Sequence, residues 1–444
     1  MGAIGWARKM RESCMRSTHL FILISALAAP VAAPLAAQAP AKPFSPEAAL
    51  AHAKELLAST PLIDGHNDLP WAIRENKAAP RDVDAYDLRK HTPHQTDIAR
   101  MRAGKLGGQF WSVYIPGEIR DSGFARVQLE QIDIARRMIA KYPDALTSAS
   151  TAADVRAAFA AGKVGSLMGM EGGHAIENSL GALRAYYALG VRYMTLTHNV
   201  TLDWADAALD TAKHGGLTNF GREVVREMNR LGMLVDLSHV SPGTMSNALD
   251  VTEAPVMFSH SSARALVDHP RNVPDSILRR MPKNGGVVMV NFYPGFDSPK
   301  VFAHSVARAK VQSDAKHAGR DSSAVARELK AWDAAHPAPK GTLKEVADMI
   351  DHVKQVAGVD HVGIGSDFDG TDDDLPVGLE DVSKYPMLFA ELITRGWSDA
   401  DLKKLAGENI LRALEKAEQV AKRLQKSRPA STKTIQEMDG KPKM

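Results

Sequence analysis

The chain has almost no cysteine. Its single cysteine is Cys14, near the start of 444 residues, so the sequence beyond it can form no disulfide and offers no thiolate for catalysis or metal binding. An excess of one charge is also missing, because 55 Lys and Arg against 52 Asp and Glu give a formal net charge of +3. These charges are spread along the chain, so we expect no nucleic-acid partner.

Long hydrophobic runs are confined to the beginning of the sequence. There an apolar run, Leu20 to Ile24, leads into an Ala/Pro-rich stretch that ends at Ala41. Four basic residues precede the apolar run: Arg8, Lys9, Arg11 and Arg16. This layout is typical of a secretory signal, so we predict a signal peptide at 1–41. An uncleaved membrane anchor is the alternative, although Pro30 and Pro34 interrupt the stretch.

The remainder has an ordinary globular composition, with 44% hydrophobic and 24% charged residues. Short apolar runs alternate with segments of helical period, which favours a parallel sheet covered by helices. Eight such runs are Leu62 to Ile63, Phe110 to Ile115, Val164 to Met170, Val191 to Leu196, Met233 to Leu237, Pro255 to Phe258, Val287 to Phe292 and Val362 to Ile364. Eight units predict an α/β fold of the (β/α)8 TIM-barrel class. An open doubly wound sheet is the alternative.

The barrel domain is predicted at 42–422. An Ala-rich, charged segment at 296–341 is interpreted as a helical insertion between strands 7 and 8. A long C-terminal helical extension is expected to begin near Ser398, where Ser-Asp-Ala-Asp is typical of a helix start. Residues 423–444 are polar and basic, and we predict a mobile tail there.

Polar residues fall where the predicted strands end. Because parallel barrel strands end at one mouth, residues far apart in sequence become neighbours there. The residues concerned are His66, Asp68, Glu171, His198, His239, His260, Asp367 and Asp369. Imidazoles and carboxylates without thiolates suit Zn²⁺, or Mn²⁺ and Co²⁺ in its place. The sequence therefore predicts a metal site at the mouth of the barrel.

The ligand set suggests two ions. His66 and Asp68 are expected to hold one and His239 and His260 the other, with Glu171 bridging them through one oxygen each. Two ions about 3.5–4 Å apart can share a hydroxide and make it a strong nucleophile near neutral pH. We therefore expect a hydrolase with two Zn²⁺ per chain, bridged by Glu171 and a hydroxide.

Several longer motifs surround the candidate site residues. They are Asp64-Gly65-His66-Asn67-Asp68, Met170-Glu171-Gly172-Gly173-His174, Phe258-Ser259-His260-Ser261-Ser262, Arg271-Asn272-Val273-Pro274-Asp275 and Gly365-Ser366-Asp367-Phe368-Asp369-Gly370. These motifs resemble the membrane dipeptidase (renal dipeptidase) family of amidohydrolase-like metal-dependent barrels. The similarity extends in order over about residues 45 to 420.

The resemblance implies a role for each site residue. His66, Asp68 and Glu171 would bind one zinc, and Glu171, His239 and His260 the other. His198 would polarise the scissile carbonyl or steady the oxyanion. Arg271 and Tyr293 would hold the C-terminal carboxylate of a dipeptide, and Asp367 would handle the proton. Strand parity alone does not separate Asp367 from Asp369, Arg271 could instead cap a loop, and Tyr293 could be a core aromatic.

The resemblance also has a departure. Vertebrate members are disulfide-linked and glycolipid-anchored, whereas this sequence lacks the cysteines and a hydrophobic C-terminal tail. A homodimer would therefore be non-covalent, and the signal peptide predicts export to a bacterial periplasm. The leading hypothesis is a zinc dipeptidase that accepts dipeptides, including L,D-dipeptides. Its alternatives are another amide or lactone hydrolase, acting for example on β-lactam-like amides, and an exported binding protein without catalysis.

Overall fold

The structure is a computed structural model, and it describes residues 44–119, 123–371 and 374–440. The predicted signal peptide at 1–41 lies outside these residues. Residues Phe44–Met444 form one compact unit, to which the following description applies. No helix in the described ranges is long and apolar enough to cross a membrane.

Nine strands form one sheet in which every pairing is parallel. They are β1 (Leu62–Asn67), β2 (Leu106–Ser112), β3 (Leu146–Ser148), β4 (Val164–Glu171), β5 (Val191–Thr195), β6 (Leu234–Asp236), β7 (Val256–Phe258), β8 (Val287–Val290) and β9 (Val362–Ile364). Most are continuous buried runs, as expected when helices cover a parallel sheet.

Eight of the strands close into a barrel. The order runs β2-β1-β9-β8-β7-β6-β5-β4, and the pairing of β2 with β4 joins its two ends. The predicted TIM barrel is therefore confirmed, and the open sheet is wrong. The ninth strand, β3, pairs with the outer edge of β4 at Val164 to Ser166. Three residues are too short to show a period, which is why the sequence did not reveal β3.

Helices follow the strands and cover the barrel. They are α1 (Pro46–Ser59), α2 (Leu69–Arg74), α3 (Ile98–Ala103), α4 (Phe124–Lys141), α5 (Ala152–Ala160), α6 (Leu180–Ala188), α7 (Asn219–Leu231), α8 (Pro242–Val251), α9 (Asp275–Leu278), α10 (Met281–Asn284), α11 (Pro294–Asp297), α12 (Pro299–His317), α13 (Ser322–Ala335), α14 (Leu343–Ala357), α15 (Tyr385–Thr394), α16 (Asp399–Lys403), α17 (Asn409–Ser427) and α18 (Ile435–Asp439).

The predicted insertion is a helical hairpin. Helices α12 and α13 lie between β8 and β9, the seventh and eighth strands of the barrel. The two helices pack on each other through a small cluster of Ala315, Val325 and Leu329. The predicted C-terminal extension is also helical, since α16 leads through a π-helical turn at Lys404–Glu408 into α17.

The C-terminal segment differs from the prediction. Helix α17 continues to Ser427, so the predicted boundary at 422 falls inside it, and Leu424 is buried. Helix α18 follows, and the Asp439 carboxylate accepts hydrogen bonds from the Thr218 hydroxyl (2.6 Å) and the Phe220 N–H (3.0 Å) at the start of α7. The segment up to residue 440 is thus folded against α7 rather than a free tail. The sequence could not reveal this packing, because the polar side chains of the C-terminal segment make their hydrogen bonds with residues far away in the chain, such as those at the start of α7.

Candidate metal centre

The C-terminal ends of the barrel strands bring the predicted residues together. His66 and Glu171 end β1 and β4, and His239, His260 and Asp367 follow β6, β7 and β9. Of these residues, Glu171, His239, His260 and Asp367 line a cavity of about 480 Å³ at the mouth of the barrel. Residues from five different strands thus meet at one point, as barrel closure requires.

Glu171 lies between two sets of side chains. Its Oε2 is 3.4 Å from His66 Nε2, while its Oε1 is 2.9 Å from His239 Nε2 and 3.3 Å from His260 Nε2. Two groups of donor atoms close enough to hold an ion share this residue. One comprises His66, Asp68 and Glu171, and the other comprises Glu171, His239 and His260. A carboxylate in this position can give one oxygen to each of two ions.

The His66 side of the site carries unsatisfied donor atoms. His66 Nε2 and Asp68 Oδ1 are buried without a hydrogen-bond partner among the described residues, and His66 Nε2 is 3.2 Å from Asp68 Oδ2. Buried polar atoms without partners are costly, whereas a cation would satisfy both. The nitrogen and oxygen donors, with no sulfur, suit zinc. The residues present therefore fit a divalent metal.

Burial sets the charge state of two imidazoles. It lowers the pKa of both His239 and His260 well below the usual value. Neutral imidazole is the form that binds a metal ion. Each ring is also oriented through its other nitrogen, since His239 Nδ1 is 3.0 Å from Asn199 Oδ1 and His260 Nδ1 is 2.8 Å from Ser259 Oγ.

His66 is oriented by a tyrosine from β5. Its Nδ1 lies 2.8 Å from the Tyr193 hydroxyl, inside the barrel. The Tyr193 ring fits because β4 carries Gly169 at this level, where an added Cβ would lie 1.9 Å from the ring. The glycine thus makes room for the group that directs His66 Nε2 towards Asp68 and Glu171.

The structure separates Asp367 from Asp369. Asp367 Oδ1 is 3.9 Å from His66 Nε2, and its Oδ2 accepts a hydrogen bond from Asn291 Nδ2 (3.0 Å). Burial raises the pKa of Asp367 to about 7. The Asp369 carboxylate instead accepts a hydrogen bond from the Gln95 N–H (3.0 Å). Of these two aspartates, only Asp367 belongs to a group of candidate ligand atoms in the described residues, and it does so together with His66 and His260.

Backbone geometry also supports the position of Asp367. Its φ is +67°, and Asp369 has +64°, values that L-residues rarely adopt. Directly after Asp369 the chain passes close to the site, because a Cβ on Gly370 would lie 2.3 Å from Asp68 Oδ2 and 2.8 Å from Asp367 Oδ1. Only glycine leaves space for both carboxylates there.

Arg271 is a buried cation at the wall of the cavity. It is 2% exposed, and its Nη1 has no hydrogen-bond partner among the described residues. Burial lowers the pKa of Arg271 to about 10. Its guanidinium lies over the Phe296 ring, 5.3 Å from the centroid. A buried guanidinium with a free N–H beside a cavity is suited to bind an anion.

His198 and Tyr293 also line the cavity. The His198 ring centroid is 4.3 Å from that of His239, and burial lowers the pKa of His198, so the ring is neutral. Its Nδ1 is buried without a partner in the described part of the chain. The Tyr293 ring packs edge-on against Phe296, at 4.9 Å between centroids. Tyr293 is thus a cavity residue beside Arg271.

Some functional residues were missed by sequence reasoning. Trp71, Tyr114 and Leu209 line the cavity, and Tyr193 and Asn199 orient two imidazoles. Asn199 directly follows His198, and Tyr193 lies in a predicted strand. These positions were only a weak indication that either residue orients an imidazole. The loop after β2 contributes Tyr114 to the cavity wall, and the start of the predicted insertion contributes Phe296.

Comparisons with known proteins agree with this geometry. Residues 50–428 match the model of the membrane dipeptidase family, peptidase family M19. The probable dipeptidase PvdM from Pseudomonas aeruginosa is 27% identical, with a TM-score of 0.74 over 85% of this chain and 100% of that one. A dipeptidase of the same family is 28% identical, with a TM-score of 0.67 over 81% of this chain and 98% of that one.

A third similar structure was solved with a ligand. It is a metallo peptidase from Rhodobacter sphaeroides bound to a phosphinate mimic of the dipeptide L-Ala-D-Ala, and it is 25% identical with a TM-score of 0.66. The alignment covers 81% of this chain and 99% of that one. Since the family model matches most of its length, the chain belongs to the membrane dipeptidase family and is a metal-dependent dipeptide hydrolase.

Proposed function

We propose that the protein is a binuclear zinc dipeptidase that hydrolyses the peptide bond of dipeptides with a free C-terminal carboxylate. The observation that carries this proposal is the position of Glu171, whose two oxygens face His66 on one side and His239 and His260 on the other. A carboxylate shared by two groups of imidazole and carboxylate donors is an arrangement that suits two adjacent ions.

The ligands are assigned from these contacts. His66 and Asp68 would hold one zinc, His239 and His260 would hold the other, and Glu171 would contribute to both. Zinc ions held there would lower the pKa of a bound water so that it can act as the nucleophile, and would polarise the scissile carbonyl. The neutral His198 ring, beside His239, is positioned to donate a hydrogen bond to the carbonyl oxygen as negative charge develops on it.

Substrate orientation is assigned to Arg271 and Tyr293. The substrate C-terminal carboxylate satisfies the free N–H groups of Arg271, and the Tyr293 hydroxyl adds a further hydrogen bond. Because both groups line the same cavity as the metal ligands, they hold the scissile bond at a fixed distance from the nucleophile. A substrate without a free carboxylate leaves the buried guanidinium unpaired and is rejected.

Asp367 is assigned the proton transfer. Its carboxyl group lies beside the His66 half of the site and has a pKa near 7. A group with a pKa close to the working pH can both accept and release a proton efficiently. Asp367 takes the proton of the nucleophile and delivers it to the leaving amine.

We further propose that L,D-dipeptides are accepted. The related Rhodobacter sphaeroides structure holds a mimic of L-Ala-D-Ala. We also propose that the segment at 1–41 exports the protein to the periplasm. Fractionation of cells that express the full chain tests the second proposal, with recovery in the periplasmic fraction and loss of the first 40 or so residues as the expected result.

A substrate panel tests the function. The zinc-loaded protein is assayed on L,L-dipeptides, L,D-dipeptides, their C-terminal amides and a simple lactone. We expect hydrolysis of free dipeptides and at least about 100-fold lower kcat/KM for the amides, since buried charge recognition contributes several kcal/mol. Equal rates on the amides or the lactone would favour a different hydrolase on the same centre. No hydrolysis of any dipeptide with zinc bound would contradict the proposal.

A further inference from the structure

A buried carboxylate outside the ligand set lies behind the His239 and His260 half of the site. Asp236, the last residue of β6, is fully buried and accepts four hydrogen bonds. Its Oδ1 accepts from the N–H groups of Ser238 (3.1 Å) and Ser259 (2.8 Å). Its Oδ2 accepts from the hydroxyls of Thr195 (2.5 Å) and Ser259 (2.6 Å).

These contacts fix the direction of the Ser259 hydroxyl. A hydroxyl has one hydrogen, and an ionised carboxylate can only accept it. The other neighbours of Ser259 Oγ are His260 Nδ1 at 2.8 Å and Ser238 Oγ at 3.4 Å. Because the hydrogen is directed to Asp236, Ser259 Oγ has only lone pairs left for His260. The His260 Nδ1 must therefore carry a hydrogen and donate it to Ser259 Oγ.

The consequence for the metal site is direct. With the hydrogen on Nδ1, His260 Nε2 has a bare lone pair, and this atom lies 3.3 Å from Glu171 Oε1. We propose that Asp236 is a positioning residue that locks His260 in its metal-binding tautomer through the hydroxyl of Ser259. The inference rests on the proposed zinc centre, for which neutral imidazole bound through Nε2 is required.

The hydrogen bonds that run from His260 through Ser259 to Asp236 form a relay, and an isosteric change at Asp236 reverses its direction. In Asp236→Asn the oxygen must stay where Oδ1 is, because two N–H groups point at it. The new NH₂ group then occupies the Oδ2 position and donates to the hydroxyls of Thr195 and Ser259. Ser259 is then expected to direct its own hydrogen at His260 Nδ1 (2.8 Å), which is nearer than its other neighbour, Ser238 Oγ (3.4 Å). The imidazole hydrogen moves to Nε2, the atom that would bind the metal.

Asp64 provides a matched control on the opposite side of the barrel. Its Oδ1 accepts from the N–H groups of His66 (3.1 Å) and Ser366 (2.8 Å), and its Oδ2 accepts from the hydroxyls of Ser366 (2.5 Å) and Tyr385 (2.5 Å). The pattern is the same, but neither hydroxyl bonds an imidazole, since His66 Nδ1 faces Tyr193. Asp64→Asn thus makes the same chemical change without reversing a histidine tautomer.

The experiment measures zinc binding rather than activity. Wild type, Asp236→Asn, Asp64→Asn and Ser259→Ala are purified as holoenzymes and dialysed against a series of zinc buffers, and bound zinc is measured by elemental analysis. Circular dichroism checks the fold. We expect Asp236→Asn to weaken one of the two zinc sites by about 10- to 100-fold, the range typical of residues that orient metal ligands. In Asp64→Asn the zinc Kd of both sites should stay closer to the wild-type values than in Asp236→Asn.

Ser259→Ala separates the tautomer from general damage. It removes the hydroxyl but leaves His260 free to take either tautomer, so one zinc Kd should rise by a smaller factor than in Asp236→Asn. A purely structural role predicts the opposite order, because Asp236→Asn preserves shape. Ser259→Ala also tests the inference if Asp236→Asn does not fold, since an unchanged Kd in Ser259→Ala overturns it.

Failure of the relay and failure of the zinc centre give different results. Two zinc ions at the wild-type Kd in Asp236→Asn, or equal weakening in Asp236→Asn and Asp64→Asn, overturn the relay alone. If wild type binds no zinc, the proposed centre fails. The relay is then judged by ¹⁵N NMR of labelled histidines, with His260 assigned by its absence in a His260 variant. The hydrogen is expected on Nδ1 in wild type and on Nε2 in Asp236→Asn, and the same tautomer in both overturns the relay.

Discussion

The Nε2 atoms of His239 and His260 lie 2.9 Å apart. The Nδ1 atom of each ring lies within hydrogen-bonding distance of an oxygen acceptor, Asn199 Oδ1 for one and Ser259 Oγ for the other. With the hydrogens on Nδ1, the lone pairs of the two Nε2 atoms face each other beside Glu171 Oε1. These lone pairs repel each other unless a cation lies between them. This geometry supports the proposed metal ion beside the two histidines, and the following predictions start from it.

Glu171→Gln should lower zinc content and activity together. An amide has one oxygen, so it can serve only one of the two groups that face Glu171. We expect fewer than two zinc ions per chain and a loss of kcat of about 100-fold or more, as for removal of a residue that supports bound metal. Elemental analysis and dipeptide kinetics measure both quantities.

The matched control for this change is Glu415→Gln, because Glu415 pairs with Arg156 on the protein surface. It should keep two zinc ions and wild-type kinetics. Full activity with two zinc ions bound in Glu171→Gln would rule out the bridging role.

Arg271→Ala should abolish the preference for a free carboxylate. Wild type is expected to hydrolyse a dipeptide far faster than its C-terminal amide. In the variant kcat/KM for the dipeptide should fall by about 100-fold or more, since a buried charged partner is lost, while that for the amide changes little. Arg264→Ala, which removes a partner of the exposed Asp268, is the control. A variant that still discriminates against the amide would disprove the anchor.

Asp367→Asn and Asp369→Asn should have different effects. Asp367 lies beside His66, whereas Asp369 accepts the Gln95 N–H. Loss of a general acid–base group typically costs 10²- to 10⁴-fold, so we expect such a fall in kcat for Asp367→Asn with little change in KM. Asp369→Asn should mainly lower the thermal midpoint. The reverse order in kcat would exchange the two assignments.

His269 should make stability depend on pH. Burial, with Arg271 nearby, lowers the pKa of His269 to about 4 from 6.5. The unfolded chain therefore binds the proton more readily between pH 6.5 and 4, and the stabilisation from the neutral ring is lost as the pH falls through this window. The His269 Nδ1 accepts the Arg271 N–H, a bond that Asn can reproduce.

Thermal midpoints of wild type and His269→Asn test this prediction at pH 7.5 and pH 5. The thermal midpoint of wild type should fall more between pH 7.5 and pH 5 than that of His269→Asn. The midpoint of His317→Asn, a change at an exposed position on α12, should fall as much as that of wild type. Identical losses in wild type and His269→Asn would show that His269 does not contribute.

The fold, and the grouping of the candidate ligands at the strand ends, could be predicted from the sequence because each depends on a local pattern. Buried runs gave eight barrel strands, and the residues at their ends met as expected. Orientation was not local: Asp367 and Asp369 share a strand parity, and only their contacts with distant residues, His66 for Asp367 and Gln95 for Asp369, separate them. Tyr193 became visible as a partner of His66 only once β5 and β1 were placed on one barrel.

The C-terminal segment was also beyond sequence reasoning. Its composition is polar and basic, which is typical of a mobile tail, but Asp439 caps α7 and Leu424 is buried. The contact of Asp439 joins residues 219 positions apart, and no pattern within the segment itself indicates it.

Zinc titration tests the central claim most directly. The protein is stripped with a chelator, zinc is returned in measured equivalents, and the rate of hydrolysis of a dipeptide is followed together with bound zinc. The account predicts that activity rises until two equivalents are bound and then stays constant. Full activity at one equivalent, or full activity in the stripped protein, would contradict a centre in which Glu171 bridges two ions.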